Sequence, residues 1–305
     1  YELFYWDYVI GMVIFSLLLA LTLGTFGPEG RPFFQDIAQA DSSAILSIII
    51  GGVIFNLSNI CLSASTSIAG MSVAFPVGCG LALVLGVINN LRVEMSQGAL
   101  KSNLTLLAIG VALVVVAVIL NGIASGKKAG NAEISKADQR KGIILAVVAG
   151  VVMSFFSSFV MKAMDLKDFA NMEPGKVGPY TAIVVFSLAV LVSHFVFGPI
   201  FMKWPFQGAP VKMSEYFKGN SKTHLVGMLG GCIWCLGTAL SYIAAGKAGA
   251  SVSYALGQGA PMVAAIWGVF VWKEFKGSNK TVYNLLGMMF LFFIVGLGMI
   301  VAAGM

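Results

Sequence analysis

Runs of mainly apolar residues, each long enough to cross a bilayer as a helix, recur along the whole chain with only short polar breaks between them. A crossing needs roughly 20 such residues, because an α-helix rises about 1.5 Å per residue and the hydrocarbon core is about 30 Å thick. Inside hydrocarbon the backbone must satisfy its own hydrogen bonds, so these runs are expected to fold as helices. The pattern predicts nine spans, at about 8–26, 43–63, 68–90, 103–125, 142–163, 179–202, 223–244, 249–272 and 282–303. Composition leaves no room for a soluble domain: 58% of the 305 residues are hydrophobic and 10% are charged, against about 25% charged in a soluble protein. The fold class is therefore all-α and polytopic, with the lipid bilayer as solvent.

The net charge of +6 comes from Lys and Arg in the breaks rather than along one amphipathic face. That distribution speaks for membrane orientation and against a nucleic-acid partner. On the side that holds residue 1 the breaks carry twelve basic residues, Lys127, Lys128, Lys136, Arg140, Lys141, Lys203, Lys212, Lys218, Lys222, Lys273, Lys276 and Lys280. The other side carries seven, Arg31, Arg92, Lys101, Lys162, Lys167, Lys176 and Lys247. The positive-inside rule then predicts a multi-pass protein of the inner or plasma membrane, with residue 1 on the cytoplasmic side and Met305 outside. The first apolar run is preceded by acid and aromatics, unlike a signal peptide, and Tyr5, Trp6 and Tyr8 read as an interfacial anchor. Cys232 and Cys235 have the spacing of a redox pair but fall mid-span, where cysteine packs as a small hydrophobe.

Comparing the chain with itself shows a two-helix unit that occurs twice at an offset of 179 residues, without gaps. Gly51-Gly52 meets Gly230-Gly231, Gly70 meets Gly249, Ser72-Val73 meets Ser251-Val252, and Gly78 and Gly80 meet Gly257 and Gly259. The copies occupy spans two and three and spans seven and eight, so they run in opposite directions through the membrane. Inverted repeats of this kind are a feature of secondary transporters, whose solute site lies between the halves. On this reading 1–125 is a first half of four helices, 126–141 a central basic cytoplasmic loop, and 142–305 a second half of five. The first half then lacks its initial member, and the expectation is a ten-helix bundle of two inverted five-helix repeats whose amino-terminal helix precedes residue 1.

Particular residues carry a family likeness. They include Gly27-Pro28, Arg31-Pro32 with Phe33-Phe34, Asn59, Gly70 with Ser72-Val73, and Asn90 in the first half. In the second half they include Tyr180-Thr181-Ala182, Trp204-Pro205, Trp267-Gly268, Glu274 and Tyr283. With them the chain resembles the ureide permease family of the drug/metabolite transporter superfamily, and its short central loop also resembles the bacterial glucose/ribose and rhamnose permeases. The resemblance implies proton-coupled uptake of small polar solutes such as ureides, nucleobases or sugars; nothing in the sequence indicates a cofactor.

Polar groups inside spans are costly unless they face the bundle interior, so they are the first candidates for a solute site. Asn56, Asn59 and Ser63 follow at i, i+3 and i+7 on span two, offering amide donors and acceptors that suit an uncharged solute. Trp234, Thr238 and Ser241 share a face of span seven, and Ser251, Tyr254 and Gln258 share one of span eight. Tyr254 or Trp234 could stack on a planar ring. Ser154, Ser157 and Ser158 on span five are further cavity candidates. For all of these, hydrogen bonding and packing between helices is the alternative, and for His194 packing is the expectation.

Acidic residues lie only near span ends. Asp7 and Glu274 are the leading candidates for proton coupling, with Glu94 beside them, and an interfacial role is their alternative. The function read from these features is a secondary transporter working by alternating access. A drug or metabolite exporter is the alternative, and an intramembrane enzyme a more remote one, since two histidines without a metal-binding spacing supply no catalytic cluster. Spans four and nine, almost wholly apolar, face either lipid or a second subunit of a homodimer.

Overall fold

The computed structural model describes residues 2–27, 30–129, 136–273 and 275–305. Its helices are α1 (Glu2–Leu21), α2 (Leu23–Phe26), α3 (Phe33–Gln39), α4 (Ser42–Ala69), α5 (Met71–Gln97), α6 (Leu104–Ala129), α7 (Lys136–Ala163), α8 (Pro179–Lys203), α9 (Ser221–Ala248), α10 (Ala250–Gly257), α11 (Ala260–Ile266) and α12 (Lys280–Ala303). Among the described residues, nine helical stretches are long and apolar enough to span a membrane, and they fall on the nine expected runs. The described residues hold no strand, only an isolated bridge between Met164 and Val177. The chain is an all-α polytopic membrane protein.

The ends of several elements differ from expectation. The first span begins at Glu2 rather than near 8, since an acid in the first turn favours the helix N-terminus. Tyr5 and Trp6 are consequently buried, packed against His194 of α8 instead of standing at a lipid interface. The break expected at 126–141 is shorter, because α6 runs on to Ala129 and α7 starts at Lys136. The sequence there, rich in Lys, Ala, Gln and Arg, favours helix. Span eight, expected as one helix, is interrupted at Gln258-Gly259 between α10 and α11. Pro261 follows that interruption and lacks the N–H that a continuous ladder needs.

Short joints set the geometry. A single residue joins α4 to α5 and another joins α9 to α10, and both are glycines in the same unusual conformation, Gly70 at φ 80 and ψ 152 and Gly249 at φ 92 and ψ 152. This region of backbone space is essentially closed to residues with a Cβ. Elsewhere glycine permits close approach: a Cβ on Gly11 would strike the Met228 carbonyl and one on Gly231 the Tyr8 carbonyl, so α1 and α9 cross there backbone to backbone.

Contacts between helices pair off under the 179-residue offset. α1 packs on α9 as α4 packs on α8; α4 meets α5 as α9 meets α10; and α1 with α8, α5 with α10, and α6 with α12 are each self-paired. Two contacts break the pattern: α7 lies along both α4 and α5, and α8 meets α9 without a comparable contact between α1 and α4. Gly51 of α4 approaches the Phe156 carbonyl of α7, and Ser47 and Ser65 donate to the carbonyls of Phe159 and Gly142. The matching face of α9, with Val226, Leu229, Ile233, Leu236 and Leu240, is exposed.

Candidate functional site

The start of α1 faces the second half of α4, and the Asn59–Tyr5 hydrogen bond links them. The two leave between them a cleft of about 500 Å³, lined by Phe4, Tyr5, Tyr8, Asn59, Ser63, Thr66 and Ser67. Asn59, Ser63, Thr66 and Ser67 follow at i, i+4, i+7 and i+8, one stripe of a helix. Asn59 Nδ2 donates to the Tyr5 hydroxyl at 3.1 Å, and the Ser63 and Thr66 hydroxyls donate to the carbonyls of Asn59 and Ser63. Every lining side chain is uncharged. A larger groove of about 710 Å³ between α5 and α6 is lined by Pro76, Val77, Leu81, Val84, Val115 and other apolar residues. Such a surface suits acyl chains, whereas the α1–α4 cleft offers amide, hydroxyl and phenol groups, with three aromatic rings along its α1 wall.

Beyond Tyr8 lies a cluster of rings. The Trp234 ring is 6.3 Å from Tyr8, 4.5 Å from Phe55 and stacked on Phe186 at 5.9 Å, and the series continues to Phe156. Trp234 is half-buried and joins the cleft wall to the bundle centre, with Thr238 half-buried one turn further along α9.

Other predicted residues lie elsewhere. Asn56 is fully buried and turned to α8, where Nδ2 donates to Ser193 Oγ at 2.8 Å and to the Val190 carbonyl at 3.3 Å. It is therefore separated from Asn59, the helix having placed them on either side of the α4–α8 seam. Ser154 is buried between α7 and α5, accepting from Asn89 Nδ2 at 3.3 Å while it donates to the Val151 carbonyl. The Tyr254 hydroxyl donates to the Ala82 carbonyl at 3.0 Å, and its ring fills the space that a side chain at Gly86 would need. Gln258 sits at the break in span eight, half-buried. Glu274 lies outside the described residues. Phe4, Tyr5, Tyr8, Thr66 and Ser67 line the cleft without being expected there; for Thr66 and Ser67 the signal was the α4 stripe continuing beyond Ser63.

Asp7 is 3% exposed and anchors a polar knot on the residue 1 side. Its Oδ1 accepts from the Tyr216 hydroxyl at 2.5 Å, and both carboxylate oxygens face His224 Nδ1, at 3.0 and 2.9 Å. Tyr216 belongs to a 3-10 turn, Met213–Lys218, so this knot ties the α8–α9 connection and the start of α9 to α1. Burial, together with the Asp7 hydrogen bond and charge, pushes the Tyr216 hydroxyl up to about 12.

The opposite end is stitched shut. The Arg31 guanidinium donates to the carbonyls of Met172 at 2.6 Å and Glu173 at 2.9 Å, and Asp36 Oδ2 accepts from the Gly178 N–H at 2.8 Å. Burial pushes the Asp36 carboxyl above the ordinary carboxylate range, against the opposing pull of Thr181, Gly178 and Arg31. Gln97 bridges the Met164 carbonyl and the Leu166 N–H, both at 3.2 Å. Glu94, at the end of α5, holds the first turn of α10.

The ureide permease family matches this chain over residues 4–141 and again over 128–303. Ureide permease 1 of Arabidopsis thaliana is 24% identical to it, across 98% of this chain and 88% of that protein. Ureide permease 2 of Arabidopsis thaliana is 22% identical over the same shares. An L-rhamnose-proton symporter of Yersinia pestis bv. Antiqua (strain Antiqua) is 26% identical over 44% of this chain and 39% of its own length.

Proposed function

The chain belongs to the ureide permease family, secondary transporters of small polar solutes and not enzymes, and from that premise we propose that it takes up a neutral ureide, nucleobase or sugar through the α1–α4 cleft. The observation that carries this reading is the cleft's lining, which combines hydrogen-bonding groups of both polarities with aromatic faces and bears no charged side chain. An uncharged ring solute meets its needs there: amide and hydroxyl partners for its edges and Tyr8, backed by Trp234, for its face.

Alternating access follows from two inverted halves rocking about such a site. The shared conformation of Gly70 and Gly249 and the pairing of helix contacts under the offset support that arrangement. With residue 1 cytoplasmic in the plasma or inner membrane, as the twelve-to-seven basic bias supports, the cleft faces the cytoplasm and the stitched end faces outward. Coupling to protons is part of the proposal. The rhamnose relative is named a proton symporter, and Asp7 and Glu274 are carrier candidates in this chain. The test is uptake of labelled allantoin, uracil and L-rhamnose by cells expressing the protein, with and without a proton gradient. Accumulation of one of them that collapses with the gradient is expected; failure of all three to enter above background would reject this solute class.

A further inference from the structure

We propose that Glu94 is a proton-binding site at the outward end of the bundle, and that its charge decides whether α5 holds α10. The inference rests on the transporter reading for its purpose, but its geometry stands alone. Glu94 is 0% exposed, and its Oε1 accepts from the Ser251 N–H at 2.5 Å and from Ser251 Oγ at 2.8 Å. Its Oε2 is buried with no hydrogen-bond partner among the described residues. Asp7, the other buried carboxylate within a span, has both oxygens engaged, so Glu94 is the acid that offers a vacant oxygen.

The partner of Glu94 is the start of α10, an eight-residue helix whose first N–H groups carry partial positive charge. The approach depends on Gly249: a Cβ there would lie 2.9 Å from Oε1. Lys101, between α5 and α6, is the cation that faces the carboxylate, and its ammonium also donates to the Gly246 and Lys167 carbonyls. Around them at this end stand Lys162 on α7, Lys247 on α9 and Arg92 on α5 itself, all exposed; α4, α6 and α10 present no charged side chain here.

Ionised, Glu94 completes the α10 terminus and binds it to α5. When the outward end opens, water reaches the carboxyl, and a proton taken from it bonds to Oε2. Protonation cancels the negative charge, weakens the pull on α10 and leaves a neutral acid that tolerates hydrocarbon. The Gly249 joint lets α10 move relative to α9.

The test uses the full chain in lipid nanodiscs, titrated from about pH 8 to about pH 5. Infrared difference spectra of the wild type are expected to gain the carbonyl band of a protonated carboxyl group. That band should vanish in Glu94→Gln and persist in Asp7→Asn. Spin labels at Met95→Cys on α5 and Gly257→Cys on α10, where a side chain meets open space, should separate on acidification, and in Glu94→Gln should show the acid distance at both pH values. An unchanged band in Glu94→Gln would overturn the proposal. If that variant does not fold, Ser251→Ala, which removes a donor to Oε1, must shift the band's midpoint; an unshifted midpoint counts equally against it. Neither readout needs a transported solute, so absence of allantoin uptake would reject the solute class while leaving the proton site to the spectra.

Discussion

The hydrogen bond from Asn59 to Tyr5 commits one amide hydrogen and leaves the rest of that amide facing the cleft. Losing such a group when a solute is bound costs about 1–3 kcal/mol, so Asn59→Ala should lower uptake efficiency by about tenfold or more at unchanged expression. Uptake kinetics on cells with matched surface protein check this, and Asn56→Ala, turned away to α8, should leave the apparent affinity closer to wild type. At the Asp7 knot the expectation concerns stability. The Tyr216 hydroxyl is raised from its ordinary 10.0 to about 12 by burial and by Asp7. A group whose proton is held more tightly in the folded state stabilises below its unfolded pKa and loses that contribution as pH rises through the folded value. The melting-temperature advantage of the wild type over Tyr216→Phe should therefore be present below about pH 10 and fade toward about pH 12. This knot was not legible in the sequence: Asp7 and His224 lie 217 residues apart, and neither belongs to a local motif.

Helices were far more legible than the contacts they make. A run of apolar residues states its own length and environment, so the nine expected spans coincide with nine observed helical stretches, the eighth of them interrupted at Gln258-Gly259. Their ends extend into polar sequence that is locally helical, as at Lys136, and the short α3 and the 3-10 turn carry too little apolar signal to be read. Spacing places Asn56, Asn59 and Ser63 within one arc of α4, yet it cannot say that the arc straddles a seam, with Asn56 turned to α8 and Asn59 to the cleft. The offset glycines were readable, and their role as joints became visible only in their dihedral angles. Replacing Gly70 or Gly249 by Ala forces a Cβ into a backbone region that costs on the order of 1–3 kcal/mol. We expect both variants to melt lower, the Cβ of Gly249→Ala also meeting Glu94; thermal stability followed by size-exclusion chromatography in detergent decides it.

At the scale of the molecule, the polar contacts are unequally shared. Arg31, Asp36, Gln97 and Glu94 bind the end opposite residue 1 together, while the α1–α4 cleft stands open on the residue 1 side. A carrier in this state should let a membrane-impermeant thiol reagent reach Ser63→Cys from the residue 1 side, and a transported solute should slow that labelling. Accumulation of labelled allantoin in vesicles containing the purified protein, compared between wild type and Asn59→Ala, tests the central claim most directly. The account predicts accumulation by the wild type and an uptake lower by about tenfold or more in the variant. Equal uptake by the two proteins, with competing uracil and L-rhamnose also without effect, would contradict the assignment of this cleft as the path of the solute.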